Sequence, residues 1–338
     1  MRAAVLADLG KPLAIRNVPV PEIADEEVLV ETKFCGICGT DLHIIEGRGY
    51  VPNLPHILGH EPSGVIARVG GAVRDLKPGE RVVPYLFLTC GECWYCKNGR
   101  DSMCSRLKGI TGVTTNGAFA QFFKAPARNL FRLPANVPLD IGALTADAVI
   151  TSVHAVYDRG NGRAATSAAV VGSGGVGQVI IQLLRGLGVR VAAVSRSEAK
   201  LDVARMLGAE AVWRAGGASI GNLSRGFSQE GIDVVFDCVG SAESMKDALA
   251  MVKRCGRIVM VGEEDSLLPA SSTLVAQHEL EIVGSRNGSR RNMEASLRFL
   301  AEGVVKPVIS DIFPLEEANE AIERVRRGAS GRVVLKIG

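Results

Sequence analysis

No apolar run in this 338-residue chain approaches the roughly 20 residues needed to cross a bilayer. The N-terminus, "MRAAVLADLG", lacks the charged stretch followed by a long apolar one that marks a secretory signal. An excess of either charge is missing too. Lys and Arg number 39 against 36 Asp and Glu, and a net charge of +3 argues neither for nucleic acid nor for an anionic membrane. Internal repeats, low-complexity tracts and long linkers are absent. The expectation is a cytoplasmic protein with no nucleic-acid or membrane partner, in which cysteines stay reduced.

What is present suits a globular chain of two domains. Hydrophobic residues make up 47% and charged residues 22%, enough for a sizeable core. The first 150 residues carry short Val-, Ile- and Phe-rich runs such as "EVLVETKF", "SGVIARVG" and "ERVVPYLF", punctuated by Gly and Pro, and read as mostly β. From about Ala168 the rhythm changes to apolar strand, helix, apolar strand. "AAVVG" precedes "VGQVIIQLLRGLG". "VRVAAV" precedes "SEAKLDVARMLG", with Ser197 as N-cap and Gly208 at its end. "IDVVFDCVG" is followed by a helix over "SAESMKDALAMVKRCG" and a strand over "RIVMVG". This alternation predicts a parallel sheet covered by helices. "NMEASLRFLAEG" and "LEEANEAIERVRRG" then read as amphipathic helices and "RVVLKI" as a closing strand.

"VVGSGGVGQ" places Gly172, Gly174, Gly175 and Gly177 in a G-x-G-x-x-G pattern, with Val176 inside it. Because it follows a strand and opens a helix, it reads as a dinucleotide turn. Gly172 permits the tight turn, Gly174 lets backbone approach a pyrophosphate, and Gly177 allows close helix–strand packing. An acid at the end of the second strand would bind the ribose hydroxyls of NAD, whereas an arginine accommodates the 2′-phosphate of NADP. Ser195 stands in the acid's place, Arg196 follows, and Lys200 lies one turn on. The reading is NADP, with NAD as the alternative.

Four of the eight cysteines, Cys90, Cys93, Cys96 and Cys104, crowd into "CGECWYCKNGRDSMC". Four thiolates at that spacing complete a closed tetrahedral zinc site, whose role is structural. An iron–sulfur cluster is the competing occupant. Upstream, "CGICGTDLH" offers Cys38, Thr40, Asp41 and His43, and "ILGHEPSG" offers His60 and Glu61. Cysteine and histidine with a position left open describe a catalytic zinc. Cys35 competes with Cys38 as ligand. His56, His154 and His278 have no partner in the sequence and read as structural or surface. Cys238 and Cys255 read as inert core thiols.

Taken together, "GICGTDLH", "GHEPSG", the four-cysteine loop and "GSGGVG" resemble the zinc-dependent medium-chain dehydrogenase/reductase family, alcohol dehydrogenase type, in order and spacing over essentially the whole chain. The resemblance implies a GroES-like, mostly β catalytic domain over residues 1–150, to which 286–338 return, and a Rossmann domain over 151–285. It implies Cys38 and His60 as catalytic zinc ligands and Glu61 as the neighbouring acid. The usual third ligand is a cysteine followed four residues later by threonine. Here "LTADAVITSVHAV" puts Asp147 and Thr151 in those places, a departure shared with some secondary-alcohol members. Thr40 and His43 match the proton relay, Arg290 an arginine on the pyrophosphate, and Tyr85 a position in the substrate pocket. The implied activity is reversible oxidation of an alcohol, a secondary one favoured, with zinc at two sites and NADP. The implied assembly is a homodimer or homotetramer. A sugar or polyol dehydrogenase using NAD is the alternative within the family, and a non-catalytic nucleotide sensor the alternative outside it.

Overall fold

An eleven-residue strand, Glu27–Ile37, is the backbone of the first unit. It pairs antiparallel with Glu61–Val69, Phe122–Pro126 and Arg332–Lys336. Ile309–Pro314, Arg81–Pro84 and Leu130–Arg132 complete a seven-stranded sheet. Arg2–Leu6, between Ala14–Asn17 and His56–Ile57, forms a second, three-stranded sheet. Val28, Val30, Ile66, Val82, Val83, Phe123, Val334 and Leu335 are buried along the large sheet, so its apolar faces make the core.

This computed structural model describes residues 1–338 except 218 and 265. The first unit comprises Met1–Asp147, Ser289–Ala301 and Pro307–Gly338. The second comprises Ala148–Gly288 and Glu302–Lys306.

In the second unit we number the strands β1 (Ser167–Val171), β2 (Arg190–Ser195), β3 (Ala211–Arg214), β4 (Ile232–Asp237), β5 (Val252–Met260) and β6 (Glu281–Gly284). All pair in parallel, in the order β3-β2-β1-β4-β5-β6. That is the doubly wound dinucleotide-binding order, 3-2-1-4-5-6. Strand β1 is buried at every residue, as expected for a sheet covered on both faces. Helix α1 (Gly175–Gly186) follows β1, and α2 (Glu198–Met206) follows β2 with Ser197 as its N-cap.

Two sequence expectations change here. The helix over "SAESMKDALAMVKRCG" stops at Met251, because Val252 already pairs with Ile232 and enters β5. Cys255 therefore lies exposed on a strand, at φ 55°, rather than in the core. Cys238 is half-buried as a residue, but burial, and then Asp237, pushes its thiol far above the ordinary range, in keeping with an inert thiol.

Candidate active site and dinucleotide turn

Strand register builds the first site. Gly36 pairs with Glu61, and Ile37 pairs with Val333. The carboxylate of Glu61 and the guanidinium of Arg332 are thereby delivered beside Cys38, the residue that follows Ile37. Cys38 caps the helix Gly39–Ile45, and its N–H donates to Asp41 Oδ2 at 2.9 Å. Gly36 is obligatory for space. A Cβ there would stand 2.3 Å from Glu61 Oε2 and 2.9 Å from Leu144 Cδ2. Asp147 arrives from the π-helical turn Thr145–Val149, a wide turn of the kind often found at functional sites.

Cys38, His60, Glu61 and Asp147 each offer a ligand atom, and these atoms all lie within 4.8 Å of one another. Cys38 Sγ donates to Asp147 Oδ2 at 3.4 Å. Arg332 Nη2 stands 2.7 Å from Glu61 Oε1 and 3.4 Å from Asp147 Oδ2. His60 Nδ1 faces Asp41 Oδ1 at 3.3 Å. Cys35 lies outside the cluster, buried in the strand, where burial first and then Asp41 and Glu61 push its thiol well above the ordinary range.

The electrostatics are those of a site built for a cation. Burial pushes Glu61 up to about 8, with Arg332 pulling the other way. Burial also opposes ionisation of Asp147, yet His60 and Arg332 outweigh it and hold that carboxyl below its usual value. Burial disfavours the imidazolium of His60, but Asp41 and Cys38 raise it well above the ordinary histidine range. Both Glu61 oxygens and His60 Nδ1 are buried without a well-aligned hydrogen bond. Cys38, Asp41, Glu61 and Asp147 are four groups able to carry negative charge, and among the described residues Arg332 is the one guanidinium against them. A thiolate, an imidazole and carboxylates are the donor set that zinc takes. The residues present fit a divalent zinc ion.

The sequence missed Arg332. "RVVLKI" reads as a closing strand, and the basic residue that opens it gives no sign that it is buried. Thr40 and His43 lie three residues apart on the helix Gly39–Ile45, on one face, both half-buried. Thr40 Oγ1 accepts from Cys38 Sγ at 3.8 Å. Tyr85 is fully buried, its ring 5.8 Å from that of Phe87, and its N–H donates to the Asn129 carbonyl. Asn129 Nδ2 in turn donates to the carbonyls of Tyr85 and Phe87.

The four remaining metal-type cysteines converge separately. Sγ–Sγ distances are 3.5 Å (Cys93–Cys96), 3.6 Å (Cys104–Cys90), 3.9 Å (Cys93–Cys104) and 4.0 Å (Cys90–Cys96). A tetrahedron of zinc–sulfur bonds has edges of about 3.8 Å. The N–H groups of Glu92 and Cys93 donate to Cys90 Sγ, and that of Cys90 to Cys104 Sγ. Backbone donation, from Cys96 first, lowers Cys93 to about 5, whereas burial and then Cys93 raise Cys96 to about 12. The four-sulfur cradle fits one zinc ion.

In the second unit the glycines shape the turn between β1 and α1. Gly172 has φ +91°. A Cβ on Gly177 would stand 2.1 Å from the Gly172 carbonyl oxygen. A Cβ on Gly174 would meet nothing within 4 Å, so open space lies over the turn at the start of α1. Val176 is half-buried in the first turn of α1, beside Gly175. Ser195 is buried at the end of β2, and its Oγ accepts from the Ser197 N–H at 3.2 Å. Arg196 is exposed and Lys200 half-buried. Arg290 opens the helix Arg290–Ala301 of the first unit, its guanidinium 4.9 Å from the Phe131 ring centroid. Of the other histidines, His154 Nδ1 pairs with Asp158 at 2.8 Å and His56 is buried.

A zinc-type ligand cluster on a GroES-like sheet, together with a dinucleotide turn on a 3-2-1-4-5-6 sheet, defines a metal-dependent dehydrogenase. Comparison with known proteins agrees. Residues 24–135 match the alcohol dehydrogenase GroES-like domain and residues 175–302 the zinc-binding dehydrogenase family. An alcohol dehydrogenase of Geobacillus stearothermophilus is 34% identical over the whole of both chains. A sorbitol dehydrogenase of Bacillus subtilis is 30% identical over 96% of this chain and 93% of its own. The crystal structure of an NAD-dependent alcohol dehydrogenase superposes with a TM-score of 0.94 at 30% identity, covering all of both chains. The chain belongs to the zinc-dependent medium-chain dehydrogenase/reductase family, alcohol dehydrogenase type, and is an oxidoreductase of that family. Among the described residues no helix is long and apolar enough to cross a membrane.

Proposed function

We propose that this protein is a zinc-dependent, NADP-preferring alcohol dehydrogenase that interconverts a secondary alcohol and its ketone. The convergence of Cys38, His60, Glu61 and Asp147 within 4.8 Å carries the reading. Cys38, His60 and Asp147 would hold the catalytic zinc, with Glu61 held back by Arg332. Cys90, Cys93, Cys96 and Cys104 would hold the structural one. Zinc bound at the first site supplies Lewis acidity that makes a hydroxyl more acidic, and the nicotinamide supplies the hydride acceptor.

The chain's own part is to position groups and move a proton. The Thr40 hydroxyl, beside Cys38, would take the proton that the substrate hydroxyl gives up while releasing its own along the relay, through the nicotinamide ribose, towards His43. His43, one turn further along the same helix face, hands it towards water. Asp147 is a harder donor than the thiolate usual at that place and leaves the metal a stronger acid. Gly172, Gly174, Gly175 and Gly177 open α1 to a pyrophosphate, and Val176 lies in its first turn. Arg290 belongs to this reading as a further pyrophosphate partner, as does assembly into a dimer or tetramer. Support for a secondary alcohol comes from Asp147 and the Ser195–Arg196 pair.

The 30% identity to a sorbitol dehydrogenase favours a second reading, an NAD-dependent polyol dehydrogenase. The test is an initial-rate panel of secondary alcohols, primary alcohols and polyols, each with NADP and NAD, on protein of measured zinc content. Turnover of secondary alcohols with NADP is expected. Thr40→Ala should lower it by roughly 10²–10⁴-fold, with Thr40→Ser restoring most of it. Turnover of polyols with NAD alone would overturn the first reading in favour of the second.

A further inference from the structure

The nucleotide end of the second unit carries a cation that the glycine motif and the Ser195–Arg196 pair do not account for. Strands β2 and β3 pair in parallel with Val194 opposite Trp213 and Ser195 opposite Arg214. Register partners in adjacent strands point to the same face. Val194 and Trp213 both sit in the core cluster on one face of the sheet. Ser195 and Arg214 therefore share the opposite face, side by side, at the carboxyl ends of their strands. Ligands of open parallel sheets bind outside those ends.

The pair is fixed in place. The N–H of Ala215 donates to the Ser195 carbonyl at 3.1 Å, closing the step past the ladder. The N–H of Gly216 donates to Asp247 Oδ2 at 2.8 Å, tying down the chain that leaves β3. Arg214 is exposed, and among the described residues its guanidinium forms no ion pair. Arg196 is in the same condition on the neighbouring loop. The acids nearest these two arginines in the chain are engaged elsewhere: Glu198 and Asp202, on α2, are both bonded to Arg205, and Glu210, just before β3, is bonded to Arg185 and Arg190.

We propose that Arg214 is the second arm of a 2′-phosphate clamp, and that NADP preference is set by Arg196 and Arg214 acting from two adjacent strand ends, with the Ser195 hydroxyl between them. The proposal rests on the NADP reading above and adds the residue that the sequence pattern did not assign. A phosphate with two negative charges suits two guanidinium groups, each able to donate two parallel hydrogen bonds. An exposed guanidinium that no ion pair occupies among the described residues is available to an incoming anion.

Direct binding tests this without turnover. NADPH and NADH are titrated by nucleotide fluorescence, and 2′,5′-ADP and 5′-AMP by calorimetry, on the unaltered protein and on Arg214→Ala, Arg214→Lys and Arg196→Ala. A charge-assisted hydrogen bond implies that Arg214→Ala weakens NADPH and 2′,5′-ADP by roughly tenfold to a hundredfold. NADH and 5′-AMP should change less than about threefold, and Arg214→Lys should recover part of the loss, because it keeps the charge and loses the fork. Equal loss for nucleotides with and without the 2′-phosphate, or no loss, overturns the role of Arg214. The unaltered protein reports on the underlying reading separately. Tighter binding of NADH than of NADPH would overturn NADP preference, while a selective effect of Arg214→Ala on 2′,5′-ADP would still place Arg214 at the phosphate.

Discussion

Arg332 and Glu61, 271 positions apart in the chain, meet as a buried ion pair, with Nη2 2.7 Å from Oε1. Asp147 lies on the same nitrogen at 3.4 Å. Their encounter follows from register: the strand Glu27–Ile37 has Glu61–Val69 on one edge and Arg332–Lys336 on the other. The guanidinium stands against two carboxylates that would otherwise repel each other beside Cys38 and His60.

Arg332→Met should therefore destabilise the zinc-loaded protein by about 3–5 kcal/mol, because it leaves buried carboxylates without their counter-charge. Adding Glu61→Gln should recover part of that loss, since the amide needs no cation. Denaturant unfolding of the two single variants and the double variant gives the coupling energy. Additive losses would show that the pair carries no special interaction.

The two zinc sites should separate under mutation. The helix Trp94–Lys97 within the cysteine loop buries no residue, so on the proposed reading a zinc ion held by the four sulfurs would do most of the work of holding the loop. Cys93→Ser is expected to remove one zinc per chain and lower the thermal midpoint clearly. Cys38→Ser should remove the other zinc with a smaller change in midpoint, because the cluster it belongs to rests on a sheet with its own apolar core. Zinc content by atomic absorption, read alongside thermal unfolding, checks both. An equal fall in midpoint would contradict the division into structural and catalytic sites.

Asp233 should give the protein a specific sensitivity to acid. Burial opposes its ionisation, but Lys253 at 2.5 Å, the Thr166 N–H and hydroxyl, and the Ser167 N–H outweigh it and hold the carboxyl far below its ordinary value of 3.8. A depressed native pKa means that the unfolded chain takes up the proton first. The stabilisation is thus fully present above about pH 4 and is lost as pH falls through the native value. Asp233→Asn should cost roughly 1–3 kcal/mol at neutral pH, and the variant's deficit should shrink as the pH drops below 4. Unfolding curves at pH 7 and at pH 3 measure it, and a deficit that stays constant between the two would refute the assignment.

The sequence by itself determined the chemistry-bearing segments of this protein. Spacing alone marked the four-cysteine cradle, because tetrahedral zinc needs four donors within a few ångströms and a short loop can supply them locally. The glycine turn was legible for the same reason: its positive φ at Gly172 and the close approach at Gly177 are local demands that only glycine meets. The alternation of strands and helices announced the parallel sheet. Where a local signal was weak, the reading drifted, as at "MVKRCG", which a ladder to β4 turns from helix into strand.

Only the tertiary structure decided what long-range register brings together. It brought Cys38, and not Cys35, into one cluster with His60, Glu61 and Asp147, placed Asp147 on a π-helical turn that periodicity does not encode, and set Arg332 against Glu61 and Asp147. It also stood Arg214 beside Ser195, 19 residues away, through a strand pairing that no motif contains. Each of these depends on which backbone edges meet, and that is settled by burial of the whole sheet rather than by any short stretch of sequence.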